Sequence, residues 1–310
     1  MTTEAQRDSS VRRRPFALGR LLNRSAPVVF LGPAVLVLAA LSLFPFVYSL
    51  WLSFNAWNLA DRRATWAFVG LQNYIAILTS DPLFMSAVKA TFIFLVATVT
   101  VEMVLGVAIA LLLNRELRGQ GLIRTIIMLP LMTTPVVVGL IWRFMYNPER
   151  GMVNYLLGLL GITGPVWLGY QATAMPAVVL ADVWEWTPFV ALIVLAALQA
   201  LPVDPFEAAV IDGASTWQSF RYVTVPLILP ALLVALLIRL MDSFKTFDLL
   251  YVLTLGGPGV STQTMSLYAY KYGFKFFQMG YASALSYIMI FIVVIAANVF
   301  LILSRREQRA

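Results

Sequence analysis

Among its 310 residues the chain has neither cysteine nor histidine. The first absence excludes disulfides and thiol nucleophiles. The second excludes imidazole bases, and together they remove the ordinary zinc, copper and haem sites. Charge is scarce too: 12% of residues are Asp, Glu, Lys or Arg, against 60% hydrophobic, and the mean hydropathy is +0.83. A soluble domain carries about 25% charged residues, so there is too little polar surface here to cover a water-soluble body of this size. The length instead accommodates roughly six membrane spans of about 20–25 residues. The net charge of +7 then marks loops that face the cytoplasm, and no nucleic-acid partner is expected.

What is present in place of charge is a series of long apolar runs. They cover about residues 28–52, 87–113, 122–145, 174–198, 227–246 and 281–303. The run that begins at Val28 is too long for the apolar core of a signal peptide, so a retained span is expected. Pro33, Pro45, Pro130, Pro135, Pro176 and Pro188 fall within these runs; membrane bundles tolerate them because neighbouring groups satisfy the freed carbonyls. The predicted fold is all-α, a polytopic membrane protein of six transmembrane helices. A basic tail (1–27) precedes the 28–304 transmembrane domain, and a short tail (305–310) follows it. Six crossings put both termini on one side. That side holds six Lys or Arg in the N-terminal tail, then Arg115, Arg118, Arg124 and Arg221, and three more at the C-terminus. The opposite loops hold Arg62, Arg63, Arg150, Lys271 and Lys275. The excess places both termini in the cytoplasm, in a bacterial or archaeal cytoplasmic membrane.

Between the fourth and fifth runs the sequence reads LPVDPFEAAVIDGASTWQSFRYVTVPLILP, from Leu201 to Pro230. Local rules expect Asp204 to cap a short helix with Pro205 at its first position and Glu207 at its third. Gly213 supplies a turn, and Ser215 with Gln218 forms a second cap. Two short helices on the cytoplasmic face, joined at Gly213, are the result. The string Glu207-Ala208-Ala209, Asp212-Gly213-Ala214, Phe220, Pro226, Pro230 resembles the EAA loop of ABC importer membrane subunits. In that family the loop (here about 201–225) forms coupling helices that seat in a groove of an ATPase subunit. A second string, Leu253-Thr254-Leu255-Gly256-Gly257-Pro258-Gly259, resembles the LTxGGP segment of carbohydrate-uptake permeases of the maltose and glycerol-3-phosphate type. With Leu129-Pro130 the resemblance covers about residues 28–304. One departure is that the connection from Ser53 to Ser86 is short, without the long periplasmic insertion of enterobacterial maltose permeases.

The resemblance implies a transport subunit, not an enzyme, and this chain supplies no catalytic residue. No GxxxxGK[ST] phosphate loop occurs in the sequence, so ATP and Mg belong to a partner. The implied assembly is a second, similar permease in a heterodimer, two ATPase subunits, an extracytoplasmic binding protein or lipoprotein, and a sugar, with transport by alternating access.

Ionisable residues inside spans are functional candidates by default. Asp182, Glu185 and Phe189 share one helical face at i, i+3 and i+7 beside Trp184 and Trp186. Arg239, Asp242 and Thr246 repeat the spacing next to Ser243. Aromatic faces and hydrogen-bonding groups of this kind suit a sugar. The resemblance places solute contacts on the same two helices, at Asp182, Glu185, Trp186, Phe189, Arg239, Ser243 and Thr246. Three carboxylates to one arginine favour a neutral di- or oligosaccharide. Other readings remain open on sequence alone. Arg239 can pair with Glu185 or Asp182 merely to orient the bundle, and Glu102 and Arg143 can be structural or subunit-facing. An ion-coupled secondary transporter could use Glu102, Asp182 and Glu185, or the chain could be a structural or channel-forming membrane protein.

Overall fold

The computed structural model describes residues 30–61, 66–115 and 118–307. The basic tail, Arg62, Arg63 and the last three residues lie outside that set, and with them much of the charge asymmetry that orients the chain. The described residues fall into two units, divided between Trp51 and Leu52.

The first unit is essentially one apolar helix, α1 (Phe30–Ser53), none of whose residues from Phe30 to Trp51 is buried. It widens into a π-helical turn at Ala39–Leu43. Pro45 has no N–H to give the carbonyl four residues back, and a wider turn is one way a helix absorbs that loss.

The second unit begins with a two-residue antiparallel pair, β1 (Asn55–Ala56) and β2 (Ala67–Phe68), then α2 (Gln72–Thr79) and α3 (Pro82–Leu113). After a turn come α4 (Gln120–Met128), α5 (Pro135–Met145), α6 (Met152–Leu159) and α7 (Gln171–Gln199). The chain ends with α8 (Asp204–Ile211), α9 (Thr216–Lys245), α10 (Asp248–Thr254), α11 (Met265–Tyr270) and α12 (Met279–Glu307). Among the described residues five helices, α1, α3, α7, α9 and α12, are long and apolar enough to cross a membrane. They match five of the six expected spans. The remaining run, 122–145, is not one helix. It breaks after Met128, passes through a single 3-10 turn at Pro130–Met132 and extended Thr133 and Thr134, and restarts at Pro135. Two prolines five residues apart explain the break: each lacks a helix donor, and Pro135 holds Thr134 extended.

The core is built on α3 against α7. Gly106 makes their approach possible, because a Cβ there would lie 2.6 Å from Val190 Cβ. Ala110, Leu113, Val190, Val194, Leu198 and Ile228 pack around this contact. A second cluster joins Phe94, Val138, Trp142, Ala177, Val178, Ala181, Leu249 and Leu250, so α5 and α10 close over the upper part of α7. Tyr146, at the end of α5, donates its hydroxyl to the Ala177 carbonyl at 2.8 Å. The LTLGGPG string forms the expected turn. Leu255, Gly256 and Gly259 have φ of 54°, 88° and 60°, and Thr262 ties it by donating to the Gly257 carbonyl at 2.9 Å.

The loop ends of α3, α11 and α12 are joined through Asp81. Its Oδ1 caps α3 by accepting from Leu83 N (3.0 Å) and Phe84 N (3.3 Å). Its Oδ2 accepts from the hydroxyls of Tyr268 (2.5 Å) and Tyr281 (2.6 Å). Replacing Asp81 by Ala removes a cap worth about 1 kcal/mol, takes the acceptor from the Tyr281 hydroxyl and leaves Tyr268 with Tyr272 alone, at 3.2 Å. We expect a loss of about 2 kcal/mol or more, read as a lower thermal midpoint in detergent; an unchanged midpoint would refute the three-way tie.

Candidate solute cavity and coupling face

Arg239, in the middle of α9, is completely buried. Its Nε and Nη2 donate to Glu102 Oε2 and Oε1 at 2.6 and 2.8 Å, a bidentate pair with α3. Nη2 also donates to Asp182 Oδ2 on α7 at 2.9 Å, and Nη1 to Asp242 Oδ2 one turn along α9 at 3.2 Å. The guanidinium face lies over the Trp186 ring, 4.6 Å from its centroid. One turn away Thr98 and Ser243 share a hydrogen bond of 2.9 Å, so α3 and α9 are stitched twice at four-residue spacing. Buried charge in a membrane is stable only when paired in this manner.

Of the two partners the sequence offered, Arg239 pairs with Asp182 and not with Glu185; its bidentate partner is Glu102, which spacing within one helix could not reveal. Ser243 is buried and engaged with Thr98, and it is not among the residues that line the cavity described next.

Beside this cluster lies a cavity of about 310 Å³, lined by Pro135, Asp182, Glu185, Trp186, Asp242, Lys245, Thr246, Phe247, Asp248 and Leu249. Of the candidates singled out from sequence, Asp182, Glu185, Trp186, Asp242 and Thr246 come together here. Arg239 stands behind the wall, contacting Asp182, Asp242 and Trp186. Trp184 does not belong: it points to another face, edge-on to Trp142 at 6.0 Å. Phe189 packs edge-on to Trp186 at 6.1 Å and against the α3–α7 core. Pro135, Phe247 and Asp248 were missed. Pro135 enters because the third apolar run is broken, and Phe247 and Asp248 because α9 stops at Lys245 and the chain turns back.

At the opposite end of α7 and α9 the expected loop forms with one change. The first helix starts at Asp204, which is itself helical and makes no cap bond; the Phe206 and Glu207 N–H groups that such a cap would serve donate instead to the Val203 carbonyl at 2.9 and 3.2 Å. Ser215 and Gln218 do form the full capping box, with bonds of 3.3 and 2.7 Å. The second short helix is the start of α9, continuous with the span through a π-helical turn at Phe220–Thr224 that precedes Pro226. The α8 end closes with Ala214 N donating to Ala209 O (2.9 Å) and Gly213 N to Val210 O (3.1 Å), with Gly213 at φ +72°. This is a Schellman closure, which favours glycine at that residue. Glu207, Ala208, Asp212 and Gly213 are exposed; Ala209, Ala214 and Phe220 are half-buried. Apolar residues between them are also bare: Val210 is 75% exposed, Ile211 85%, Trp217 68% and Tyr222 74%. These four went unnoticed in the sequence. Large apolar side chains so exposed mark an interaction surface.

Residues 102–309 match the family model described as binding-protein-dependent transport system inner membrane component. A probable ABC transporter permease, y4oQ of Sinorhizobium fredii, is 40% identical over 93% of this chain and 91% of its own length. The trehalose/maltose transport system permease MalF of Thermococcus litoralis is 37% identical over 89% and 92%. The trehalose transport system permease SugA of Mycobacterium tuberculosis is 38% identical over 91% and 89%. A chain from the crystal structure of a bacterial ABC transporter that imports the acidic polysaccharide alginate superposes with a TM-score of 0.80. It covers 93% of this chain and 98% of that one at 21% identity, a likeness of fold.

Removing one partner of a buried ion pair costs about 3–5 kcal/mol, because the other charge stays behind. Arg239→Met strands Glu102 and Asp182, so we expect it to lower the thermal midpoint of the purified chain far more than Lys245→Met, whose side chain is 70% exposed. Equal midpoints for the two variants would remove Arg239 from its structural role.

The matched model, these relatives and the fold agree, and the chain belongs to the family of binding-protein-dependent transport system inner membrane components, the membrane permeases of ABC importers.

Proposed function

We propose that this chain is one of two permease subunits of a sugar importer, with both termini in the cytoplasm and ATP hydrolysis, with its Mg²⁺, on a pair of partner ATPases. The observation that carries the reading is the loop between α7 and α9, with its exposed Glu207 and rigid glycine turn at the end of the bundle. Val210, Ile211 and Trp217 supply apolar area for the ATPase groove, and Glu207 supplies a charge. Because the second half of the loop is continuous with α9, a push on Trp217 or Phe220 is transmitted along a single helix to Arg239. Through Glu102 and Asp182 it then reaches α3 and α7. Closure of the ATPases would rock these three spans together, a two-state switch between inward-facing and outward-facing forms.

Sugar as the solute is supported by the trehalose and trehalose/maltose systems named among its relatives and by a cavity that combines Trp186 and Phe247 with hydrogen-bonding side chains. Asp182, Glu185, Trp186, Asp242 and Thr246 are the solute-contacting set in this reading, and a neutral di- or oligosaccharide is the solute. An extracytoplasmic binding protein delivers it. An ion-coupled carrier is less favoured: two of the three carboxylates it needs, Glu102 and Asp182, are held by Arg239.

The test is reconstitution of the complete importer, with trehalose and maltose as probes. Glu207→Arg combined with Gly213→Val, the latter strained at φ +72°, should reduce sugar-dependent uptake at least tenfold. Membrane insertion should persist and ATP hydrolysis should no longer respond to sugar. Normal uptake by the double variant would sink the coupling proposal.

A further inference from the structure

The cavity beside Arg239 is rich in hydrogen-bond acceptors and poor in donors. Asp182, Glu185, Asp242 and Asp248 line it, against one cation, Lys245, which is bound to Asp242 Oδ1 at 3.2 Å. Arg239 offers little. A guanidinium has five N–H groups, and four bonds run to Glu102, Asp182 and Asp242 while Trp186 covers a face. Two buried acceptors are left over. Asp182 Oδ1 and Glu185 Oε2 are shielded from solvent and have no hydrogen-bond partner, in residues 0% and 2% exposed. A buried polar atom without a partner costs free energy, more when it belongs to a charged group. Among the described residues no group of three or more Asp or Glu is arranged to hold a metal ion. The size, about 310 Å³, falls at the lower end of the range of about 300–1,000 Å³ for small-molecule sites.

We propose that Asp182 Oδ1 and Glu185 Oε2 make this cavity a charge filter: they accept hydroxyl protons from a neutral saccharide and turn away saccharides that carry a carboxylate or phosphate. This rests on the importer reading above and adds to it the chemistry that selects. Asp182 is committed on one side to Arg239, so its free oxygen is fixed in place. Glu185, outside the ion-pair cluster, is the specificity-determining residue that can be changed without dismantling the helix ties. A hydroxyl-bearing ligand satisfies both oxygens. A carboxylate or phosphate group would instead set a further negative charge against these oxygens and against Asp242 and Asp248.

The absence of cysteine makes a direct test possible. In the complete importer, Thr246→Cys places a single thiol of this chain in the cavity wall, with the unmodified assembly as blank. Methanethiosulfonates bearing a trimethylammonium or a sulfonate group then report the local charge by their relative rates. We expect the cationic reagent to react at least tenfold faster relative to its rate on a free thiol, and trehalose but not trehalose 6-phosphate to protect the site. Adding Glu185→Gln should bring the ratio near unity and weaken trehalose protection, while Glu185→Asp should restore both. Equal rates in the parent, a ratio indifferent to Glu185→Gln, or protection by the phosphorylated sugar would overturn the filter. Sugar-stimulated ATP hydrolysis is read separately: its absence with the charge ratio intact overturns the importer reading and leaves the filter supported.

Discussion

A guanidinium with no access to water, set among three apolar helices, governs the rest of this structure. Arg239 is tolerable only because Glu102 meets it with two parallel bonds and Asp182 and Asp242 take further donors. The buried Glu102 and Asp182 in turn are tolerable only because of Arg239, whereas Asp242, partly exposed, also meets Lys245. The mutual requirement fixes the rotation of α3, α7 and α9 about their own axes, since turning any one of them would leave a buried charge unpaired. Apolar packing alone, including the close approach at Gly106, is much more permissive about rotation. The ion cluster therefore supplies orientation, and the hydrocarbon contacts supply most of the attraction.

The cavity is a consequence of that arrangement. With three helices clamped at Arg239, the next turn of α7 carries Glu185 and Trp186 and the end of α9 carries Asp242 and Thr246 into a common space. The broken third run closes one side with Pro135, and α10 closes another with Phe247, Asp248 and Leu249. The same three spans reach the loop that holds Glu207 and Gly213. Cavity and loop are thus carried by one set of helices rather than by separate modules.

Much of this was legible without coordinates. Hydropathy located five spans to within a few residues, apart from the early start of α9, whose first two turns are polar. The Ser215–Gln218 box and the Gly213 turn follow local rules because capping is satisfied within a few residues of chain. Asp204 misled for an equally local reason: the helix begins one residue early, and the Val203 carbonyl takes the donors that Asp204 would have capped. The Pro130 and Pro135 pair was visible, but whether two prolines kink a span or split it depends on what packs around the gap.

The sequence by itself determined the class of protein, five of the spans and the turn and cap of the 201–225 loop, because each is written in composition or in short-range spacing. Only the tertiary structure decided which buried charges are structural and which face the cavity. Glu102 and Arg239 stand 137 residues apart, and no periodicity within one helix encodes a partner on another. Asp182 and Glu185, with equal claims on one helix face, differ for that reason: both line the cavity, but only Asp182 is also bound to Arg239.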